Sequence, residues 1–232
     1  MKSYAIGKRL LSASGFVRQG AYFADIGTDH AYLPLFLLRE GRISRAVCAD
    51  INKGPLESAR RNAAELGYTD SVNFVLTDGA MGLSDMGITD YAICGMGGEL
   101  IADIIERSPH LKKEGIRLIL QPMSKQSTLR RYLAKNGFAV VCEDYSLDSG
   151  KYYLCLAAEY SGVRREISDF EAEFGDVGPR ASFSVAKLGY FEAKIKALRR
   201  AADGKRRGGE PSPEEKLLSE LTERMDNGKD NV

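Results

Sequence analysis

The sequence predicts an α/β fold, a mostly parallel sheet that ends in an antiparallel hairpin, with a helical hairpin at the C-terminus. Three observations carry this. Apolar, β-branched runs alternate with amphipathic helical patterns through the first two-thirds of the chain. The alternation stops at two strand patterns whose link is too short for a crossover helix. Beyond about Ser161 only helical periodicity remains.

In order, "AYFADI" (21–26), "AVCADI" (46–51), "VNFVL" (72–76), "DYAICG" (90–95) and "IRLILQ" (116–121) read as strands buried on both faces. Between them the spacing predicts helices over Ala31 to Arg39, Pro55 to Leu66, Gly98 to Arg107 and Ser124 to Asn136. Pro55 suits a first helical position and Gly67 follows a helix end. This rhythm predicts parallel strands with right-handed crossovers. Phe138 to Tyr145 and Tyr152 to Tyr160, joined by "SLDSGK", then fit only a hairpin. Parallel strands finished this way form the Rossmann-like sheet associated with class I S-adenosylmethionine methyltransferases. A dinucleotide dehydrogenase would continue with parallel βα units.

Leu188, Phe191, Ile195 and Leu198 form an apolar seam on one C-terminal helix. After a breaker stretch, "DGKRRGGEPSPEE", Ser212, Pro213 and Glu215 read as a capping-box start for a second helix, which carries Leu217, Leu218, Leu221 and Met225. The two seams are expected to face each other and to pack on the main domain. The domain expectation is 1–160 for a catalytic domain, 161–226 for a helical, coiled-coil-like domain and 227–232 for a disordered tail.

With 44% hydrophobic and 28% charged residues and a mean hydropathy of −0.27, the composition is that of a soluble globular protein. No apolar run approaches membrane-spanning length and no signal-peptide core opens the chain, so a cytoplasmic location without membrane association is expected. Cys48, Cys94, Cys142 and Cys155 sit in strand-like segments without CxxC spacing, which reads as buried, reduced thiols and no metal site.

The chemistry concentrates where strands end. Asp25 closes the first strand, Gly27 makes the following turn, and Asp50 ends the second strand, placed to hold ribose hydroxyls. "TDGA" puts Asp78 at the same edge, where an acid could accept from an adenine amine. "CGMGGELI" clusters Gly95, Gly97 and Gly98 around Met96, and "LILQP" adds Gln121 and Pro122, the glutamine offering a donor and an acceptor for a base edge. An ordinary turn Asp, a plain βα loop and a surface glutamine are the competing readings of the last three. From Lys187 to Arg207 eight basic residues face two acids, a local net of +6, and Lys8, Arg9, Arg18, Arg130 and Arg131 add charge elsewhere. Such a stripe suits phosphate contact, with Lys8, Arg9, Lys194, Arg199 and Arg200 as candidate contacts; a solvated helix face is the alternative.

"ADIGTDHAYLP", "GPLESARRNAAELG", "TDGA", "GMGGELI" and "LILQP", in this order and before a helical hairpin, resemble the bacterial tRNA (adenine(22)-N1)-methyltransferases known as TrmK. The resemblance covers Lys8 to Tyr160 by motif and the rest by architecture. It implies S-adenosyl-L-methionine as cofactor, tRNA as partner and methylation of adenine N1 in the D-loop. Asp25, Gly27, Thr28, His30, Asp50, Ile51, Asp78, Gly79 and Gly95 would then surround the cofactor. Met96, Gly97, Gly98, Gln121 and Pro122 would line the transfer site together with Asp29. From its position after Gly27, Asp29 is expected to act as the catalytic carboxylate, accepting from the adenine N6 amine, with a purely structural loop role as the alternative. Adenine N1 has an in-plane lone pair, so the reaction asks for positioning of a turned-out base and for stabilisation of its growing positive charge. No Asn-Pro-Pro-aromatic clamp for an exocyclic amine is present. A methyltransferase acting on another RNA base or a small molecule, an NAD-dependent oxidoreductase, and a tRNA-binding module without catalysis stay open. A monomer is expected, although the sequence leaves assembly undecided.

Overall fold

The structure is a computed structural model that describes residues 6–175, 184–207 and 212–227. Seven strands form one sheet in the order β3-β2-β1-β4-β5-β7-β6. The parallel strands are β1 (Phe23–Ile26), β2 (Ala46–Asp50), β3 (Val72–Leu76), β4 (Asp90–Gly97) and β5 (Arg117–Ser124). β6 (Phe138–Asp148) and β7 (Lys151–Tyr160) form the closing hairpin, with β7 antiparallel to both of its neighbours. The predicted strands are thus present, but β3 lies at the sheet edge with only Val72 buried rather than buried on both faces, and the hairpin turn is tighter than "SLDSGK" suggested. Only Ser149 and Gly150 remain outside the ladder, both at positive φ (48° and 76°) as a two-residue turn requires.

Helices α2 (Tyr32–Arg39), α3 (Lys53–Glu65), α4 (Gly98–Glu106) and α5 (Gln126–Lys135) follow the first, second, fourth and fifth strands. α3 begins two residues ahead of the expected start, so Pro55 lies within its first turn rather than opening it. The reversal of strand order between β1 and β4 brings five strand ends to one carboxyl edge, with α1 to α3 over one face and α4 and α5 over the other.

Two helices have no counterpart among the expected elements. The first, α1 (Lys8–Phe16), has no side-chain cap of its own at Gly7. Instead Asp148, from the end of β6, takes the Arg9 backbone N–H on Oδ2 at 3.2 Å, and a Cβ on Gly7 would meet that oxygen at 2.5 Å. The second, α6 (Asp169–Phe174), opens with a capping box between Ser168 and Glu171.

The C-terminal helices are α7 (Val185–Arg207) and α8 (Pro213–Asn227). α7 runs through Asp203 and Gly204, where a breaker was expected. One glycine costs about 1 kcal/mol against alanine, and the flanking Ala, Lys and Arg favour helix. The Lys205 ammonium also reaches Glu214 Oε1 of α8 at 2.7 Å. α8 starts at Pro213 as the capping pattern predicts. The tail expected to be disordered lies outside the described residues except for Asn227, which ends α8. Phe191 and Leu221 are buried in the same core as the sheet residues Tyr145 and Leu154. Beneath them Arg130 donates from Nε to Glu143 Oε1 at 2.9 Å, and Tyr145 donates to Glu143 Oε2 at 3.0 Å. This buried polar knot joins α5 to β6 under the C-terminal helices.

In contrast to the expectation that all four cysteines are buried, Cys94 is half-buried and Cys142 is exposed, the latter at a register shift in the edge strand β6. All four are free thiols. No described helix is long and apolar enough to cross a membrane.

Candidate active site

The site is built from the loops that leave the carboxyl edge. Gly27 turns at φ 74°, and the Gly27 and Thr28 N–H groups both bond the Ala49 carbonyl, at 2.8 and 3.0 Å. This fold-back leaves Asp25 nine-tenths buried at the end of β1. Burial pushes its carboxyl up to about 6, the nearby charge of Asp50 adds to the rise, and Arg9 opposes it. The Thr28 hydroxyl lies near enough to favour the ionised carboxyl, yet it is buried without a partner in hydrogen-bonding geometry. A buried donor in that position asks for a ligand atom.

Asp29 and His30 stand at the mouth. Their side chains are 77% and 38% exposed, with Asp29 Oδ2 at 3.5 Å from His30 Nε2. His30 also packs on Tyr32, ring centroids 5.1 Å apart, while its carbonyl accepts from Asn62 Nδ2. Ala31, in the left-handed region, turns the chain into α2. Asp29 is therefore free to meet a substrate, and the loop around His30 is held from α3.

Asp50 Oδ1 accepts the Asn52 N–H at 2.7 Å, which leaves Oδ2 for a ligand. Ile51, directly after it, is 61% exposed, and Met81, after β3, is 52% exposed. Apolar side chains left in solvent at this edge suit the faces of a planar ring. Asp78 lies at the same edge but is not free. Both of its oxygens accept from Arg107, the residue that caps the C-terminus of α4, at 2.6 and 3.2 Å. Gly79, at φ 59°, is pressed against α4, where an added Cβ would meet Ile104 at 3.0 Å.

The β4 and β5 ends supply the other half. The β4 ladder shifts register between Cys94 and Met96, with Gly95 at φ 80°. Met96 lies across Gly27, its Cε 2.1 Å from where a Cβ would stand, and Gly98 admits the Lys125 carbonyl to the start of α4. Gln121 does not present itself to a base edge. It is fully buried, and its Oε1 accepts from the Gly95 N–H at 3.1 Å and from Arg9 Nη1 at 2.6 Å. Pro122 pairs with Met96 in the ladder. Arg9 is thus carried by α1 to the catalytic edge, beside Gly95 and Asp25.

The basic residues separate into two groups. Arg18 is bound to the buried Asp90 at 2.6 Å, Arg130 to Glu143, and Arg131 to Asp169. Lys194, expected as an RNA contact, lies against Glu173 at 2.9 Å, and burial draws its pKa below the ordinary range against the pull of that carboxylate. Their charge is spent on the fold. Lys196, Arg199 and Arg200 face solvent along α7, and Lys8 lines a groove of about 500 Å³ between α1, the hairpin and the start of α7.

The edge fits S-adenosyl-L-methionine by its donor set. Asp25 offers a buried anion to a cationic head group, Thr28 an unspent hydroxyl, Asp50 an acceptor for ribose, and Ile51 and Met81 apolar faces for the base. Among the described residues, no group of His, Cys, Asp or Glu is arranged to hold a metal ion. Arg107, Met81 and the Arg9–Gln121 contact are the components that sequence reading missed, since nothing local marks them.

Residues 6–156 match a family model described as a methyltransferase domain. The tRNA (adenine(22)-N(1))-methyltransferase of Bacillus subtilis (strain 168) is 34% identical over 159 residues, which is 68% of this chain and 67% of that protein. A Streptococcus pneumoniae protein, described as a candidate tRNA (m1A22) methyltransferase and solved in complex with S-adenosyl-L-methionine, is similar with a TM-score of 0.82 and 29% identity, over 95% of this chain and all of that one. The B. subtilis m1A22 tRNA methyltransferase TrmK gives a TM-score of 0.75 at 27% identity, over 98% of both chains.

Proposed function

Since the chain belongs to the tRNA (adenine(22)-N1)-methyltransferase family, we propose that it transfers the methyl group of S-adenosyl-L-methionine to N1 of adenine 22 in the D-loop of tRNA. The observation that carries this is the reach of the likeness. The methyltransferase-domain match ends at residue 156, whereas the similarity to the S. pneumoniae structure covers 95% of the chain, C-terminal helices included.

The bound cofactor supplies an electrophilic methyl group on a sulfonium. Asp25, with Thr28, takes the cofactor's amino-acid end, Asp50 its ribose, and Asp78 the 6-amino group of its adenine between Ile51 and Met81. Gly27, Gly79 and Gly95 keep the backbone low enough for the ligand to lie along the edge. Met96, Gly97, Gly98 and Pro122 wall the place where the target base is received. Gln121 acts behind that wall, fixing Gly95 and Arg9. Adenine N1 needs no proton removed before it attacks, so the site is asked for alignment and charge stabilisation rather than a base. Asp29, at the open mouth, accepts from the base's N6 amine as positive charge grows on the ring, and His30 shapes its loop.

Arg9 and Lys8 meet the backbone of the turned-out nucleotide, and Lys196, Arg199 and Arg200 hold the body of the tRNA by phosphate contact. With tRNA as its substrate, the enzyme works in the cytoplasm. Methylation of an unmodified tRNA transcript, with mass-spectrometric mapping of the product nucleoside, tests the proposal. The expected product is 1-methyladenosine at position 22; modification of another atom or position overturns the assignment.

A further inference from the structure

Asp78 is held in one orientation by a residue from a different part of the chain. Arg107 Nη1 donates to Asp78 Oδ2 at 2.6 Å and Nη2 to Oδ1 at 3.2 Å, while Nε donates to Asp103 Oδ2 at 2.8 Å. The guanidinium is therefore pinned from the α4 side and grips the carboxylate with two prongs, a geometry that fixes the plane of the carboxylate as well as its place. Arg107 Nη1 also lies 3.5 Å from Met81 Sδ, and the intervening Gly79 packs on Ile104 of α4. The whole 78–81 turn is thus referenced to the C-terminal end of α4.

We propose that Arg107 is a positioning residue that aims Asp78 at the 6-amino group of the cofactor's purine, so that adenine is selected over a 6-oxo purine. The proposal rests on the reading of Asp78 as the acceptor for that amine. An ionised carboxylate has about four lone-pair sites, and Arg107 takes one on each oxygen. The remaining sites accept from an amine but oppose the carbonyl oxygen of a 6-oxo purine. A half-exposed carboxylate free to rotate would lose much of that discrimination, because either ring could find water or an altered rotamer. The ligand thus joins an existing ion pair instead of creating one.

The test is calorimetric titration of the ligand-free protein with S-adenosyl-L-homocysteine and with its inosine analogue, S-inosyl-L-homocysteine. Wild type, Asp78→Asn, Arg107→Leu and Arg107→Lys are compared, with circular dichroism to confirm folding. Wild type is expected to prefer the adenine ligand by roughly ten- to a hundredfold, the range of one charge-assisted hydrogen bond. Arg107→Leu should lower that preference at least about threefold, mostly through weaker adenine binding. Arg107→Lys, which keeps charge without the fork, should fall between the two. Unchanged preference in Asp78→Asn overturns the Asp78 reading and the proposal with it. Preference lost in Asp78→Asn but intact in Arg107→Leu overturns the proposal alone.

Discussion

Arg9 Nη1 donates to Gln121 Oε1 at 2.6 Å, joining the N-terminal helix to the fifth strand across 112 residues of sequence. The same oxygen takes the Gly95 N–H, so one buried amide fixes both the bulge at the end of β4 and the cation beside it. Arg9→Ala should leave cofactor affinity nearly intact, weaken tRNA binding, and reduce the slope of log affinity against log salt by about one. Filter binding at several salt concentrations measures this. Gln121→Leu strands the Gly95 donor and should cost about 1–3 kcal/mol of stability in denaturant unfolding.

Asp25 titrates near 6 in the folded chain against an ordinary 3.8. The folded state holds this proton more tightly than the unfolded one. Its stabilising contribution is therefore complete below the ordinary value and is lost as pH rises through about 6. Asp25→Asn should stabilise the ligand-free protein above that pH, by up to roughly 3 kcal/mol at about 1.4 kcal/mol per unit, and have little effect near pH 4. The same variant should bind S-adenosyl-L-homocysteine more weakly at pH 7.5. Thermal unfolding across the range reads the first effect, and a pH-independent difference between the proteins contradicts it.

Asp29 is 77% exposed, so solvent screens much of what it can do for a cationic base. Asp29→Ala should lower kcat about tenfold or more at saturating tRNA while cofactor affinity holds. Methyl transfer at the wild-type rate removes Asp29 from the chemistry. Lost cofactor affinity instead assigns it to the loop.

Lys194 and Lys196 are two residues apart and should respond oppositely. Lys196→Ala, with Arg199→Ala and Arg200→Ala, should weaken tRNA binding and flatten its salt dependence without lowering Tm. Lys194→Ala uncovers Glu173 and should lower Tm. Equal effects of both on RNA binding would sink this division of α7.

Arg130→Met leaves Glu143 buried without its cation and should cost about 3–5 kcal/mol in denaturant unfolding, much of it recovered when Glu143 is also replaced by an apolar residue. The single change should loosen the C-terminal helices first, because Glu143 also carries Tyr145, whose ring lies 5.0 Å from that of Tyr190 on α7.

The sheet was readable because each parallel strand has a short, mainly apolar centre, and most end in or run into a chemical marker such as Asp25, Asp50 or Gly95. α1 was not readable, since its cap is Asp148, 139 residues away from the N–H it serves. α6 is only six residues long, too short to show a period, although its capping box is written in Ser168 and Glu171. In the site, acids at strand ends declare themselves locally. Arg107 does not, because its partner lies 29 residues upstream and meets it only once α4 has packed. Counting charge along α7 overstated the RNA-facing surface for a related reason. A count does not distinguish a lysine that turns inward to Glu173 from one on the outer face.

The cap that Asp148 places on α1 also bears on how the chain tolerates change. An exposed two-residue turn is ordinarily where a protein accepts added residues most easily. Here the tip at Ser149 and Gly150 directly follows the carboxylate that anchors the helix carrying Arg9. Lengthening that tip would alter the seat of Arg9, whose own backbone N–H is the one that Asp148 takes, in a chain whose cofactor loops would be untouched. The hairpin tip is thus a place where substrate handling can drift independently of cofactor use.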